Sequence, residues 1–308
     1  MNFFLILEKI GPVFLLMLVG YVFAKLAKPT EQARGLLATL VINVSIPASM
    51  FASVNDVDFN VLKGDIGALM LISTGISLMT LVLAFPFSRM LEPKDRGRRA
   101  LTQAAMFFHN FGFLGWPVIH LLLGDEGLLY AVLFAIPLNV LTYGLTPVLL
   151  GRANKEARVF DKKVLINLPV YSAIVGLVLM ACGVKLPSGA ISVLGMLSDT
   201  QTPLAMMIVG MMLATVRPAD VVSGWRPYVI SVVRLGVFPV IAFAVLRWLG
   251  ISGLLLSVPV LNTAMPAATM TVVMAQNAHL DAVYSSRIVV VSTLLSMAAI
   301  PLVSLLVV

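Results

Sequence analysis

Charge is scarce in this sequence: only 11% of its 308 residues are charged, while 60% are apolar and the mean hydropathy is +1.02. An ordinary soluble domain carries roughly 25% charged residues. A chain so poor in charge cannot coat a water-facing surface, so lipid must supply most of its solvent. No charge-rich stretch of domain length is present either, which excludes an attached soluble domain within these residues. The single cysteine, Cys182, excludes an internal disulfide and any cysteine-based metal site. Lying in an apolar run, it reads as a small core residue. No GxxxxGK[ST] loop occurs, which disfavours self-powered pumping. A Ser–His pair at a recognisable motif, paired intramembrane carboxylates and a metal-ligand cluster are also missing, so the sequence assigns no catalytic residue, metal or cofactor.

What is present is a run of apolar segments separated by short basic clusters. A helix needs roughly 20 mostly apolar residues to cross the hydrocarbon core. Ten segments qualify: Ile10–Leu26, Gly35–Val54, Ile66–Leu91, Ala100–Leu123, Gly127–Leu150, Val164–Cys182, Ala190–Val216, Tyr228–Leu249, Gly253–Asn277 and Val283–Val307. Spans four and five are separated only by Gly124, Asp125 and Glu126. The amino-terminal stretch carries Glu8 and Lys9 after an apolar start, so it reads as an interfacial lead-in plus the first span rather than a cleaved leader.

The net charge of +7 does not indicate a nucleic-acid partner, because the bases lie in clusters between apolar runs. Sixteen of the 21 bases fall in or beside the loops that follow odd-numbered spans, the largest clusters being Arg89–Arg99 and Arg152–Lys163. Basic loops stay in the cytoplasm. Both termini are therefore expected on the non-cytoplasmic side of a prokaryotic cytoplasmic (inner) membrane.

Features recur across the midpoint. Tyr130 and Pro147 match Tyr284 and Pro301 at an offset of 154, and Ser45–Met50, with Pro47, matches Gln201–Met206, with Pro203, at an offset of 156. They suggest two five-span repeats, residues 1–151 and 164–308, joined by a basic cytoplasmic linker, 152–163. Five is odd, so the second repeat is inverted, a recurring build of secondary transporters.

Span four contains His109-Asn110 and then Gly112, Gly115, Trp116 and Pro117, and span nine runs from Pro259 through Asn262 and Met265 to Pro266. Glycine and proline at this density disfavour continuous helix. Non-helical backbone at membrane depth is tolerated only where protein or a watery cavity satisfies it. The amino termini of half-helices attract anions. Asn110 and Asn262 are suited to the site, since an amide donates to a carboxylate without a buried fixed charge.

These segments, Asn110 through Gly115-Trp116-Pro117 and Met265-Pro266, together with the 5+5 layout, resemble the auxin efflux carrier family, including bacterial malonate and malate permease-like and PIN-like members. The resemblance covers essentially the whole chain. It implies an all-α integral membrane fold of ten helices in two inverted repeats, with broken helices four and nine crossing at Pro117 and Pro266. It also implies substrate bound near Asn110, Gly115, Asn262 and Met265. An elevator motion would carry spans three to five and eight to ten against spans one, two, six and seven. The family handles mono- and dicarboxylates, and the resemblance suggests a homodimer.

Several polar residues lie within spans. Asp199 is a candidate carrier of a coupling proton, the alternative being a place nearer the interface or a structural pairing. His109 can titrate or bond substrate, or serve as a satisfied polar group between helices. Arg234 is open between pairing with a carboxylate, contacting an anion and snorkelling to the interface. Asn43, Asn139, Thr142 and Gln276 line a cavity or bridge helices. Trp225 and Trp248 suit interface anchoring, and Trp116 a pocket wall. The expected function is secondary transport of a small organic anion, with H⁺ or Na⁺ coupling or uniport left open. An anion channel, a membrane receptor or sensor, and an intramembrane enzyme are the rivals.

Overall fold

The computed structural model describes residues 3–53, 59–151, 153, 168–217 and 224–307, and these are mostly helical, with no strand among them. Among the described residues, six helices are long and apolar enough to cross a membrane: Phe4–Ala27, Glu31–Ala52, Leu62–Leu91, Phe111–Gly151, Arg226–Trp248 and Ala282–Val307. The other expected spans coincide with shorter or interrupted helices. Leu168–Ala181 lies in the sixth interval, Ser188–Asp199 and Gln201–Leu213 in the seventh, and Leu254–Thr263 and Met270–Asn277 in the ninth. The turn expected at Gly124 is there, with φ 73° and ψ −166° inside the Trp116–Gly151 element. Glycine reaches that region without the steric cost a Cβ would bring. The basic linker, apart from Ala153, lies outside the described residues.

Prolines explain three local irregularities. Wide π turns at Val41–Ser45, Phe111–Gly115 and Val233–Val237 each run directly into an X-Pro pair: Ile46-Pro47, Trp116-Pro117 and Phe238-Pro239. Proline lacks an N–H and its ring crowds the preceding turn. The chain widens there, so that Ile46 N–H reaches back five residues to the Val41 carbonyl and Phe238 N–H to that of Val233. Proline thus marks widened turns here rather than helix ends.

Two compact units form, and neither follows the sequence halves. The first comprises residues 1–70, 112–134 and 167–215, and the second 71–111, 135–166 and 216–308. In the first, Phe3–Ala27 packs along Gln201–Leu213 at two glycines. A Cβ on Gly20 would lie 2.1 Å from the carbonyl oxygen of Met207, and one on Gly210 would lie 1.9 Å from that of Met17. Small residues let helix backbones touch in this way. Ser45, which opens the first stretch matched by the repeat, shares a hydrogen bond of 2.7 Å with Thr200, the residue just before the second. In the same unit the Tyr130 hydroxyl donates to Asp65 at 2.6 Å, and His120 Nε2 lies 2.8 Å from Asp125 Oδ1. That hydrogen bond holds the Asp125 carboxyl below its usual range.

The second unit gathers around Ala282–Val307, against which Arg226–Val232, Leu254–Thr263, Met270–Asn277 and Arg96–Phe107 pack. Leu101, Ala105, Ile230, Phe238 and Ile288 are among its fully buried apolar residues. One end is tied by charges. Asp281 Oδ2 accepts from Arg98 at 2.9 Å, Asp281 Oδ1 caps the Tyr284 N–H at 2.9 Å, and the Tyr284 hydroxyl donates to buried Glu92 at 2.9 Å.

The expectation for Cys182 needs correction. It is exposed, not core, because the Leu168–Ala181 helix ends one residue earlier and the chain turns at Gly183 with φ 66°.

Candidate functional site

The two interrupted helices of the second unit meet at their breaks. Arg96–Phe107 ends as Phe108 turns to extended backbone, φ −86° and ψ 110°. Leu254–Thr263 ends at Ala264, and helix resumes at Met270. Between these ends His109 and Ala267 form an antiparallel bridge. The Asn110 N–H donates to the Pro266 carbonyl at 2.9 Å, and the Ala268 N–H to that of Phe108 at 3.0 Å. Ala267, whose N–H faces the other way, donates to Ser292 Oγ at 3.1 Å. Two broken segments thus satisfy one another where lipid offers no partner, as buried backbone requires.

The breaks also release carbonyls, and Arg234 takes them. Its Nη1 donates to Ala105 and Met106 at 3.0 and 2.5 Å, and its Nη2 to Met265 and Pro266 at 2.9 and 3.3 Å. The residue is fully buried, with 0% exposure, so snorkelling is overturned. Its ion-pair alternative is not realised either: no carboxylate pairs with it among the described residues. The guanidinium instead sits at the ends of two half-helices, where unpaired carbonyls concentrate negative partial charge. Its five donors in a planar fork fit carbonyls arriving from two directions.

Asn110 is buried, and its side-chain Nδ2 has no protein partner among the described residues. Both ring nitrogens of buried His109 are in the same condition. Asn262 is used differently from expectation. Its Nδ2 donates to Val258, one turn earlier in its own helix, at 3.1 Å, while its Oδ1 has no such partner. A carbonyl at Val258 fixes the amide's orientation, because Nδ2 must face it. Met265 is buried and takes part through its backbone carbonyl.

The breaks lie elsewhere than the glycine and proline pattern suggested. Span four opens at Phe108–Asn110, upstream of Gly112, while Gly115 closes a π turn and Pro117 stands second in the next helix. Pro259 lies inside a helix, and Pro266 sits in the bridged segment itself. Asp199 belongs to the other unit, where it is exposed at the end of Ser188–Asp199. Asn43 and Gln276 are exposed, whereas Asn139 and Thr142 are buried with side chains lacking partners among the described residues. Trp225 and Trp248 are exposed and Trp116 is buried.

Sequence comparison places this geometry. The profile of the membrane transport protein family matches residues 5–159 and 152–304, essentially the whole chain. The chain belongs to this family. An uncharacterized transporter of Methanothermobacter thermautotrophicus is 30% identical over 303 residues, covering 96% of each chain. Another, from Methanocaldococcus jannaschii, is 28% identical over 303 residues, covering 94% of this chain and 95% of its own. The resemblance to auxin efflux carriers and the family match agree, and the protein is a membrane transport family member built of apolar helices.

Proposed function

We propose that the protein is a ten-span secondary carrier of a small organic anion, a mono- or dicarboxylate, working by alternating access in the cytoplasmic membrane. The observation that carries this reading is the bridged pair of broken helices. It sets a buried guanidinium, the unused amide nitrogen of Asn110 and the ring of His109 around one crossing. A buried positive charge offset only by carbonyl dipoles favours an anion nearby. Asn110 Nδ2 would donate to the carboxylate, and the helices that begin after each break would turn their free N–H groups toward it.

Two inverted five-span repeats, with both termini outside the cytoplasm, belong to the same reading. Elevator-type motion is supported by the grouping of the helices. One compact unit holds spans one, two, six and seven with parts of four and five, and the other holds most of spans three and eight to ten. Coupling by H⁺ or Na⁺, through Asp199 or His109, and assembly as a homodimer are the finer parts of the proposal.

The test is uptake of labelled carboxylates into proteoliposomes. Saturable uptake with counterflow is expected. Ohmic, non-saturating flux would make the protein a channel and sink the carrier reading.

A further inference from the structure

Four carbonyl oxygens, those of Ala105, Met106, Met265 and Pro266, converge on the guanidinium of Arg234 at 2.5–3.3 Å. Ala105 and Met106 lie in the last turn of Arg96–Phe107, and Met265 and Pro266 just follow the end of Leu254–Thr263, so all four sit where the helix dipoles are negative. Unwound carbonyls and half-helix carboxyl ends are the donor set with which inverted-repeat carriers coordinate a coupling cation. Hard cations take such oxygen cages readily. Here the cage is filled from within the chain.

We infer that Arg234 is a resident cation: its guanidinium occupies a carbonyl cage that would otherwise take a small monovalent cation, and the crossing holds together without one. Three observations carry this. The side chain is wholly buried. Among the described residues every bond it makes goes to a carbonyl, as a metal ion's would, and its Nε makes none. It touches both broken segments, so one charge neutralises both helix ends at once. A tethered cation also avoids the entropy of capturing an ion and the stripping of its water. The inference concerns the cage alone and stands or falls separately from which anion, if any, is carried.

Removing the side chain takes the Arg234 donor from the Ala105, Met106 and Met265 carbonyls and leaves that of Pro266 with the Asn110 N–H alone, a costly state for buried groups. The cage should then accept an ion from solution. Wild-type protein and Arg234→Ala, Arg234→Gln and Arg234→Lys variants would be purified in detergent without substrate. Thermal unfolding would be followed in choline chloride and with added NaCl, LiCl, KCl or guanidinium chloride at constant ionic strength and millimolar concentrations. Arg234→Ala should melt about 5–10 °C below the wild type in choline. At least one small cation should restore half or more of that loss, saturably, with no comparable response in the wild type. Arg234→Lys should keep more of the midpoint than Arg234→Gln, which can donate hydrogen bonds but carries no charge. Should Arg234→Ala fail to survive in choline, purification in one of the four cations must recover it. The inference is overturned by an Arg234→Ala midpoint equal to wild type, by a loss that no cation restores, by an equal response in the wild type, or by Arg234→Gln matching Arg234→Lys.

Discussion

Asn110 meets Pro266 through its backbone: its N–H donates to the proline carbonyl at 2.9 Å, while its side-chain nitrogen has no protein partner among the described residues. The two roles are therefore separable. Asn110→Ala keeps the bond that closes the crossing and removes only the free amide. Saturable uptake should be lost while the melting temperature stays within about 2 °C of wild type. Uptake unchanged by the substitution would remove Asn110 from the binding site.

Ser292 supplies the oxygen that satisfies Ala267 on the far side of the bridge. Ser292→Ala leaves a buried N–H unpaired, which costs about 1–3 kcal/mol. A lowered melting temperature checks this, and Ser292→Thr, which retains a hydroxyl, should recover part of it.

Asp281 does two things at the end of the second unit: it caps the Ala282–Val307 helix at Tyr284 and pairs with Arg98. Asp281→Asn keeps a capping oxygen and loses the charge, whereas Asp281→Ala loses both. The pair is partly exposed and contributes little, so the cap dominates. Asp281→Ala should cost about 1 kcal/mol, and Asp281→Asn clearly less, as read from unfolding midpoints.

The Asp125 carboxyl is held low by its hydrogen bond from His120. A depressed folded-state value means that its contribution is complete above the ordinary carboxylate value of about 4 and fades as pH falls through the folded one. The midpoint difference between wild type and Asp125→Ala should be steady from neutral pH to about 5 and shrink below about 4. A difference that grew on acidification would reverse the assignment.

The membrane class and the existence of breaks in spans four and nine were legible because they rest on local chemistry: hydropathy, and the density of glycine and proline. The positions of the breaks were not. Gly112 and Gly115 are absorbed by a π turn and Pro117 needs no donor near the start of a helix, so the chain opens instead at Phe108, where the Pro266 carbonyl awaits the Asn110 N–H. That partner lies more than 150 residues away in sequence, beyond any local pattern. Arg234 was unreadable for the same reason. Its ligands are main-chain carbonyls, which leave no mark on residue identity, so a search for a carboxylate mate could only mislead. Cys182 shows the converse limit, since an apolar neighbourhood in the sequence does not tell whether a side chain faces protein or lipid.

The contact of Gly20 with Met207, and of Gly210 with Met17, limits how the first unit can deform. An axial slip of one residue, about 1.5 Å, would drive a side chain into a notch sized for hydrogen. Phe3–Ala27 and Gln201–Leu213 are thus keyed like a dowel in its slot, and any rearrangement during a working cycle must carry the two rods together.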